Sequence, residues 1–133
     1  MSKIEYLAPA GLAINSAYSH VAVASSGRTI YIAGQVAIDE KGAIVGAGDL
    51  GAQTAQVMRN LGKCLEAAGA SFEHVVKITT FVVNYTPEMR PIIGKARSSF
   101  FANRPPPAST LVGVSALAAP EWLIEIEAIA VAP

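Results

Sequence analysis

Two glutamates two residues apart, Glu125 and Glu127, interrupt an otherwise apolar run, Ile124-Glu125-Ile126-Glu127-Ala128. In an extended strand that spacing puts both carboxylates on one face, about 7 Å apart at about 3.3 Å of rise per residue. Such a pair is either a solvated, ion-paired sheet face or a pocket carboxylate, desolvated and poised as general acid or base. Upstream, Pro105-Pro106-Pro107 leads through Ala108 into Ser109, Thr110 and Leu111. Prolines restrict the backbone and fix its entry path, which suits a strand end that presents a polar side chain to a ligand; a stiff loop is the plainer reading. A third feature is Arg90, Gly94 and Arg97, whose spacings of four and three put them on one helix face with no side chain at its centre. The two arginines are either solvated or an anchor for an anion.

Other chemistry is not evident. His20 and His74 lack metal-ligand spacing, and Cys64 is the single cysteine. No GxxxxGK[ST] or GxGxxG loop occurs, and no GxSxG elbow supports a serine nucleophile. His20 is expected at a surface or interface rather than in catalysis, and Cys64 as a small buried hydrophobe.

The elements that must position these residues follow from periodicity. His20–Ser25, Thr29–Ile32, Val36–Asp39 and Ala43–Val45 read as a meander of short strands. From Asp49 the period changes: Thr54, Met58, Leu61, Leu65 and Ala68 form one stripe of an amphipathic helix, with Asp49 as N-cap and Gly69 as C′ stop. Val75–Val83 is a long β-branched strand whose near-continuous apolarity predicts a central position covered on both faces. Pro87 opens a second helix running to Phe101, with Met89, Ile93, Ala96 and Phe100 inward. Strands Ser109–Ser115 and Leu123–Val131 complete an α+β order in which both helices cover one sheet face.

At 133 residues the chain is read as one domain spanning 1–133. It is 52% hydrophobic and 15% charged, with a mean hydropathy of +0.41. A small domain has little interior for so much apolar surface, so the uncovered sheet face is expected to pack against other subunits. Zero formal net charge and scattered basic residues argue against nucleic-acid binding. The absence of a signal-length apolar segment or a membrane span, together with the lone cysteine, predicts a cytoplasmic protein without membrane partners.

Taken in order, Tyr18, Ile32-Ala33-Gly34-Gln35, Lys77-Ile78-Thr79-Thr80-Phe81-Val82, Pro107-Ala108-Ser109-Thr110 and Ile124-Glu125-Ile126-Glu127-Ala128-Ile129-Ala130 resemble the Rid family. This is the reactive intermediate deaminase or YjgF-type family, often labelled endoribonuclease L-PSP. The resemblance runs from about residue 10 to the C-terminus. It implies a chorismate-mutase-like α+β domain, a homotrimer whose sheets form a central barrel, and ligand pockets at the subunit interfaces. It also implies no metal or organic cofactor. The best-known branch hydrolyses enamines and imines such as 2-aminoacrylate to 2-oxo acids and ammonia.

Carried over by position, the family's pocket tyrosine falls on Tyr18, its small residue and glycine on Ala33 and Gly34, and its glutamate on Glu125. The deaminating branch follows Pro-Ala with an arginine that clamps the substrate carboxylate. Here Ser109 stands after Pro107-Ala108, with Thr110 next to it. Leu111 replaces that branch's cysteine, Gly94 its helical asparagine, and one extra residue falls within Ser115–Trp122. A serine gives one neutral hydrogen bond where arginine gives a charge-assisted fork. Arg104 is expected too far away to substitute, about 16 Å along an extended chain; Arg97 or Arg90 is the candidate anchor. Trp122 is expected at the pocket entrance or at a subunit boundary.

Three readings follow. One is C=N hydrolysis of a metabolite other than 2-aminoacrylate, with Glu125 and Tyr18 in the chemistry and Ala33, Gly34, Gly94, Arg97, Ser109 and Thr110 lining the ligand. Another is a trimer that binds a metabolite or protects proteins without turnover. The third, disfavoured by charge, is a ribonuclease or translation inhibitor.

Overall fold

The change of period at Asp49 is a real boundary. A computed structural model, which describes residues 3–102 and 104–133, places helix α1 over Leu50–Ala67. Asp49 Oδ1 accepts from Ala52 N at 3.0 Å as the N-cap. At the other end Gly69 has φ +71, its N–H donates to Glu66 O, and Ala70 N donates to Leu65 O. This pair of bonds is a Schellman closure, which needs the left-handed residue that glycine supplies. The remaining elements are strands β1 (Ile4–Leu7), β2 (Val21–Ala24), β3 (Arg28–Gln35) and β4 (Val75–Val83), helix α2 (Met89–Ser98), and strands β5 (Ala108–Val114) and β6 (Ile124–Ala132).

The main sheet has the order β3-β6-β4-β5, with β4 and β5 parallel and β6 antiparallel to both neighbours. Strands β3 and β4 therefore run the same way, and α1 crosses between them as α2 crosses between β4 and β5. Both crossovers step in the same direction, so right-handed connections put both helices on one face. On that face Ile78, Thr80 and Val82 of β4 stand in register with Ala128, Ile126 and Ile124 of β6. They pack under Val57, Met58, Leu61, Leu65 and Ile93. No helix covers the opposite face, where Phe81, Val112, Ile129 and Tyr31 lie; Tyr31 is 78% exposed. Strand β4 is thus interior but fully buried on one face only, alternating between buried and half-buried positions.

The first third departs from the expected meander. Strand β1 pairs with β2 as a separate two-stranded sheet, while residues 36–39 and 43–45 retain only an isolated bridge between Ile38 and Ile44. Two backbone bonds, Asp39 N to Ala43 O and Val45 N to Ala37 O, flank that bridge, and side chains take other backbone groups of the segment. Asn60 Nδ2 of α1 donates to Val36 O and Ile38 O, both at 3.0 Å, and Asp39 Oδ1 accepts from Lys41 N and Ala43 N. Helix α2 starts at Met89 because Pro87 and Glu88 form the preceding turn; Pro91 occupies the third position, where no intrahelical donor is needed. The stretch Ser99–Phe101 continues as a 3-10 turn. Among the described residues no helix is long and apolar enough to cross a membrane.

Thr80 is fully buried on the helix face, and its hydroxyl has no hydrogen-bond partner among the described residues. A buried unpaired hydroxyl opposes folding. Thr80→Val is therefore expected to stabilise the protein by about 1 kcal/mol in urea denaturation. A loss of stability would show that the hydroxyl is bonded after all.

Candidate functional site

A cavity of about 510 Å³ opens between α2, β5 and the loop before β2. Serine 109 and Leu111 reach it because they stand in register with Ile78 and Thr80 on the helix side of the sheet. Gly94 contributes open space: a Cβ built there would meet nothing within 4 Å. Arg90 and Arg97 flank that notch on the same helix, and Tyr18 faces it from the loop.

The proline approach has a specific use here. Proline carbonyls can accept hydrogen bonds, but proline nitrogens cannot donate. Ser19 supplies the donors: its N–H bonds Pro107 O at 3.1 Å and its hydroxyl bonds Pro106 O at 2.6 Å. A parallel bridge between Ser19 and Ala108 extends this tie to the start of β5. The Tyr18 ring meets the His20 ring edge-on at 5.3 Å, and His20 Nε2 lies 2.8 Å from Ala13 O, which closes the loop. Ser19 and His20 thus position Tyr18. The signal for this was the two-residue spacing of Tyr18 and His20, which puts both rings on one side of an extended segment.

Arg104 also lines the cavity, contrary to the expectation from extended-chain length. Arg104, Pro106 and Ser109 line one wall of it. The cavity therefore gathers Arg90, Arg97 and Arg104 and has no aspartate or glutamate in its wall. Among the described residues none of the three has a carboxylate within 4 Å. Arg97 Nε is buried without a hydrogen-bond partner among the described residues, and burial lowers the Arg97 pKa from its ordinary value. Arginine nevertheless stays protonated at neutral pH. The Arg104 charge acts in part on Tyr6, where it opposes the upward shift that burial imposes on the phenol.

The remaining predicted site residues lie elsewhere in the chain. Glu125, flanked by buried Ile124 and Ile126, points to the face without helices, in register with Phe81. Gly34 sits in an irregularity of the β3–β6 ladder between Ile32 and Gln35. A Cβ built on Gly34 would overlap Glu125 Oε2 and lie 2.7 Å from Cδ, so the missing side chain is what seats the carboxylate. Ala33 borders a second depression of about 390 Å³ beside Tyr31 and Cys64, at the β3 edge. Cys64 is half-buried there. Thr110 stands on the helix-free face, its hydroxyl 2.5 Å from Lys77 Nζ, and takes no part in the arginine cavity. Trp122 is half-buried and lines neither depression.

The predicted residues thus fall into two groups. Tyr18, Gly94, Arg97 and Ser109 share the cavity at the β5 edge; Ala33, Gly34 and Glu125 lie at the β3 and β6 side. Two strand spacings and a three-residue offset along β4 separate Ser109 from Glu125, about 14 Å between backbones, on opposite faces. Among the described residues no group of three or more His, Cys, Asp or Glu side chains is arranged to hold a metal ion.

The architecture and the sequence have clear relatives. The chain is 41% identical to a conserved Rid-family protein, YyfB, from Yersinia pestis, over 97% of this chain and 98% of that one, with a TM-score of 0.93. It is 37% identical to a RutC family protein of Pyrococcus horikoshii, covering 79% of this chain and 80% of the relative. A 2-iminobutanoate/2-iminopropanoate deaminase of Dermatophagoides farinae is 31% identical, with 79% of each covered. The family model described as Endoribonuclease L-PSP matches residues 9–132. With the mixed sheet and both helices in place, the chain belongs to the endoribonuclease L-PSP family, the group of Rid and RutC proteins.

Proposed function

We propose that this protein hydrolyses the C=N bond of a small anionic enamine or imine, releasing ammonia. The observation that carries this reading is the cavity between α2 and β5, with three guanidinium groups and no carboxylate in its wall. Such a wall binds the anionic end of a metabolite. Relatives named 2-iminobutanoate/2-iminopropanoate deaminase support the reaction class.

The chemistry requires a second copy of the chain. Water adds to the imine carbon, the C–N bond breaks, and the nitrogen leaves as ammonia once protonated; the product is the 2-oxo compound. Glu125 is the group suited to move those protons, yet within one chain it lies on the wrong face and about 14 Å from Ser109. A head-to-tail arrangement brings the β3–β6 side of one copy against the β5 cavity of the next, and a closed ring of this kind is a cyclic oligomer such as a trimer. The helix-free face, with Tyr31 and Val112 exposed, offers the apolar surface for it. In the completed site the arginines hold the anion, Tyr18 donates a hydrogen bond, and Gly34 leaves room for Glu125 and the substrate.

A binding role without turnover is the second reading. The neutral Ser109 at the strand entry favours it, because a carboxylate placed there gains only one uncharged hydrogen bond. Ammonia release from freshly generated 2-aminoacrylate and 2-aminocrotonate separates the two. Turnover by the wild type that falls about 100-fold or more in Glu125→Gln, with ligand binding retained, is the expected result. Wild-type activity undiminished by that substitution would remove Glu125 from the chemistry, and an inert wild type that still binds anions would favour the binding role.

A further inference from the structure

We infer that the α2–β5 cavity selects an organic dianion, a dicarboxylate or a phosphate monoester, over a monocarboxylate. The inference rests on the functional reading above for the identity of the site, and it concerns binding alone. Three cations face one space and no acid balances them, on a chain whose formal net charge is zero. A single carboxylate would leave two of the three arginines in that wall without a counter-charge. A second negative charge supplies one and satisfies further donors, of which each guanidinium has five. Arg97 is the half-buried member of the three, and its Nε has no hydrogen-bond partner among the described residues.

Size and shape agree. At about 30 Å³ per water, a cavity of about 510 Å³ has room for roughly seventeen waters, well beyond a three-carbon acid. Arg90 and Arg97 are seven residues apart on α2, so their backbones stand about 10.5 Å apart along the helix axis, with the open notch of Gly94 between them. Arginines rooted this far apart favour the dicarboxylate, whose charges lie at its two ends, over the phosphate monoester, whose charges share one end. Tyr18, Tyr85 and Phe101 add aromatic wall, which suits an unsaturated or apolar body between those ends.

Calorimetric titration of the assembled wild-type protein at constant ionic strength tests this with hexanoate, adipate and glycerol 3-phosphate. Adipate or glycerol 3-phosphate is expected to bind about tenfold or more tightly than hexanoate; which of the two leads identifies the source of the second charge. Arg97→Gln is expected to abolish most of that preference by weakening adipate about tenfold more than hexanoate. Thermal unfolding of the ligand-free variant serves as the control: removal of an unpaired buried cation is expected to raise its melting temperature, so weaker binding is not a folding defect. Gly94→Leu, which fills the notch and keeps all three arginines, is expected to weaken adipate equally. Equal affinity for hexanoate and adipate, or an unchanged preference in Arg97→Gln, would overturn the inference. Turnover of monocarboxylate imines without dianion preference would overturn it and leave the hydrolase reading standing. Dianion binding by a protein that releases no ammonia would do the reverse.

Discussion

Gly34→Ala is expected to leave the protein folded and to lower kcat/KM for the proposed imine hydrolysis about 100-fold. The added Cβ would fall on the Glu125 carboxylate, 2.7 Å from Cδ and 2.8 Å from Cγ. The three nearest atoms all belong to the Glu125 side chain, so the strain is relieved by rotating Glu125 away. That relief is cheap for folding, and alanine also reduces the entropy of the unfolded chain by about 0.4–1 kcal/mol. It is costly for chemistry, because a proton-transfer group displaced by about 1 Å loses about two orders of magnitude. The signature is an unchanged urea midpoint beside a collapsed rate. Full activity in Gly34→Ala would mean that the seat of Glu125 beside Gly34 is irrelevant to turnover. A lowered midpoint would instead assign Gly34 to the stability of the β3–β6 ladder.

Gln53→Leu is expected to have the opposite signature, a large loss of stability of about 3–5 kcal/mol. Gln53 is fully buried in α1, yet its amide is satisfied in three directions. Nε2 donates to Gly46 O at 3.2 Å and Glu121 O at 3.0 Å, and Oε1 accepts from Leu123 N at 2.9 Å. These bonds fasten the turn before α1 and both ends of the segment around Trp122 to the core. Leucine fills the volume but leaves one backbone donor and two acceptors unpaired, and each unmade bond in a buried setting costs about 1–3 kcal/mol. Urea denaturation measures the effect directly. A loss below about 1 kcal/mol would show that water replaces the amide in all three bonds. Because Leu123 is two residues from Glu125, local opening at this clamp also frees the start of β6.

What could be read from the sequence divides by the range of the forces involved. Helix α1, its Asp49 cap and the Gly69 stop are local, and their residues alone specify them. The same holds for β4, whose nine residues are all β-branched or apolar except Lys77 and admit few alternatives. The expected strands at 36–39 and 43–45 come down to one short hairpin held by Asp39 N to Ala43 O and Val45 N to Ala37 O, and Asn60, far along the chain, takes the Val36 and Ile38 carbonyls that a further strand would use. Strand β1 was missed because its four residues gain order from pairing with β2 and not from their own pattern. At the site, Arg97, Gly94, Ser109 and Tyr18 were named from spacing and resemblance, and they share one cavity. Arg104, which the extended-chain distance to Ser109 excludes, lines the cavity as well, because that distance leaves out the reach of its side chain. Thr110 was grouped with Ser109, but alternation along β5 sends the two side chains to opposite faces.

The separation of the arginine cavity from the Glu125 seat also bears on how such a protein changes over generations. What it holds is set by the outer face of α2 and the approach to β5. What it could do to a bound molecule is set by the β3–β6 ladder on the far side of the sheet. A substitution at Arg90, Gly94 or Arg97 alters charge and room without touching the register that seats Glu125 against Gly34. The two properties can therefore drift separately, and a lineage can exchange one metabolite for another while its proton-handling geometry is inherited intact.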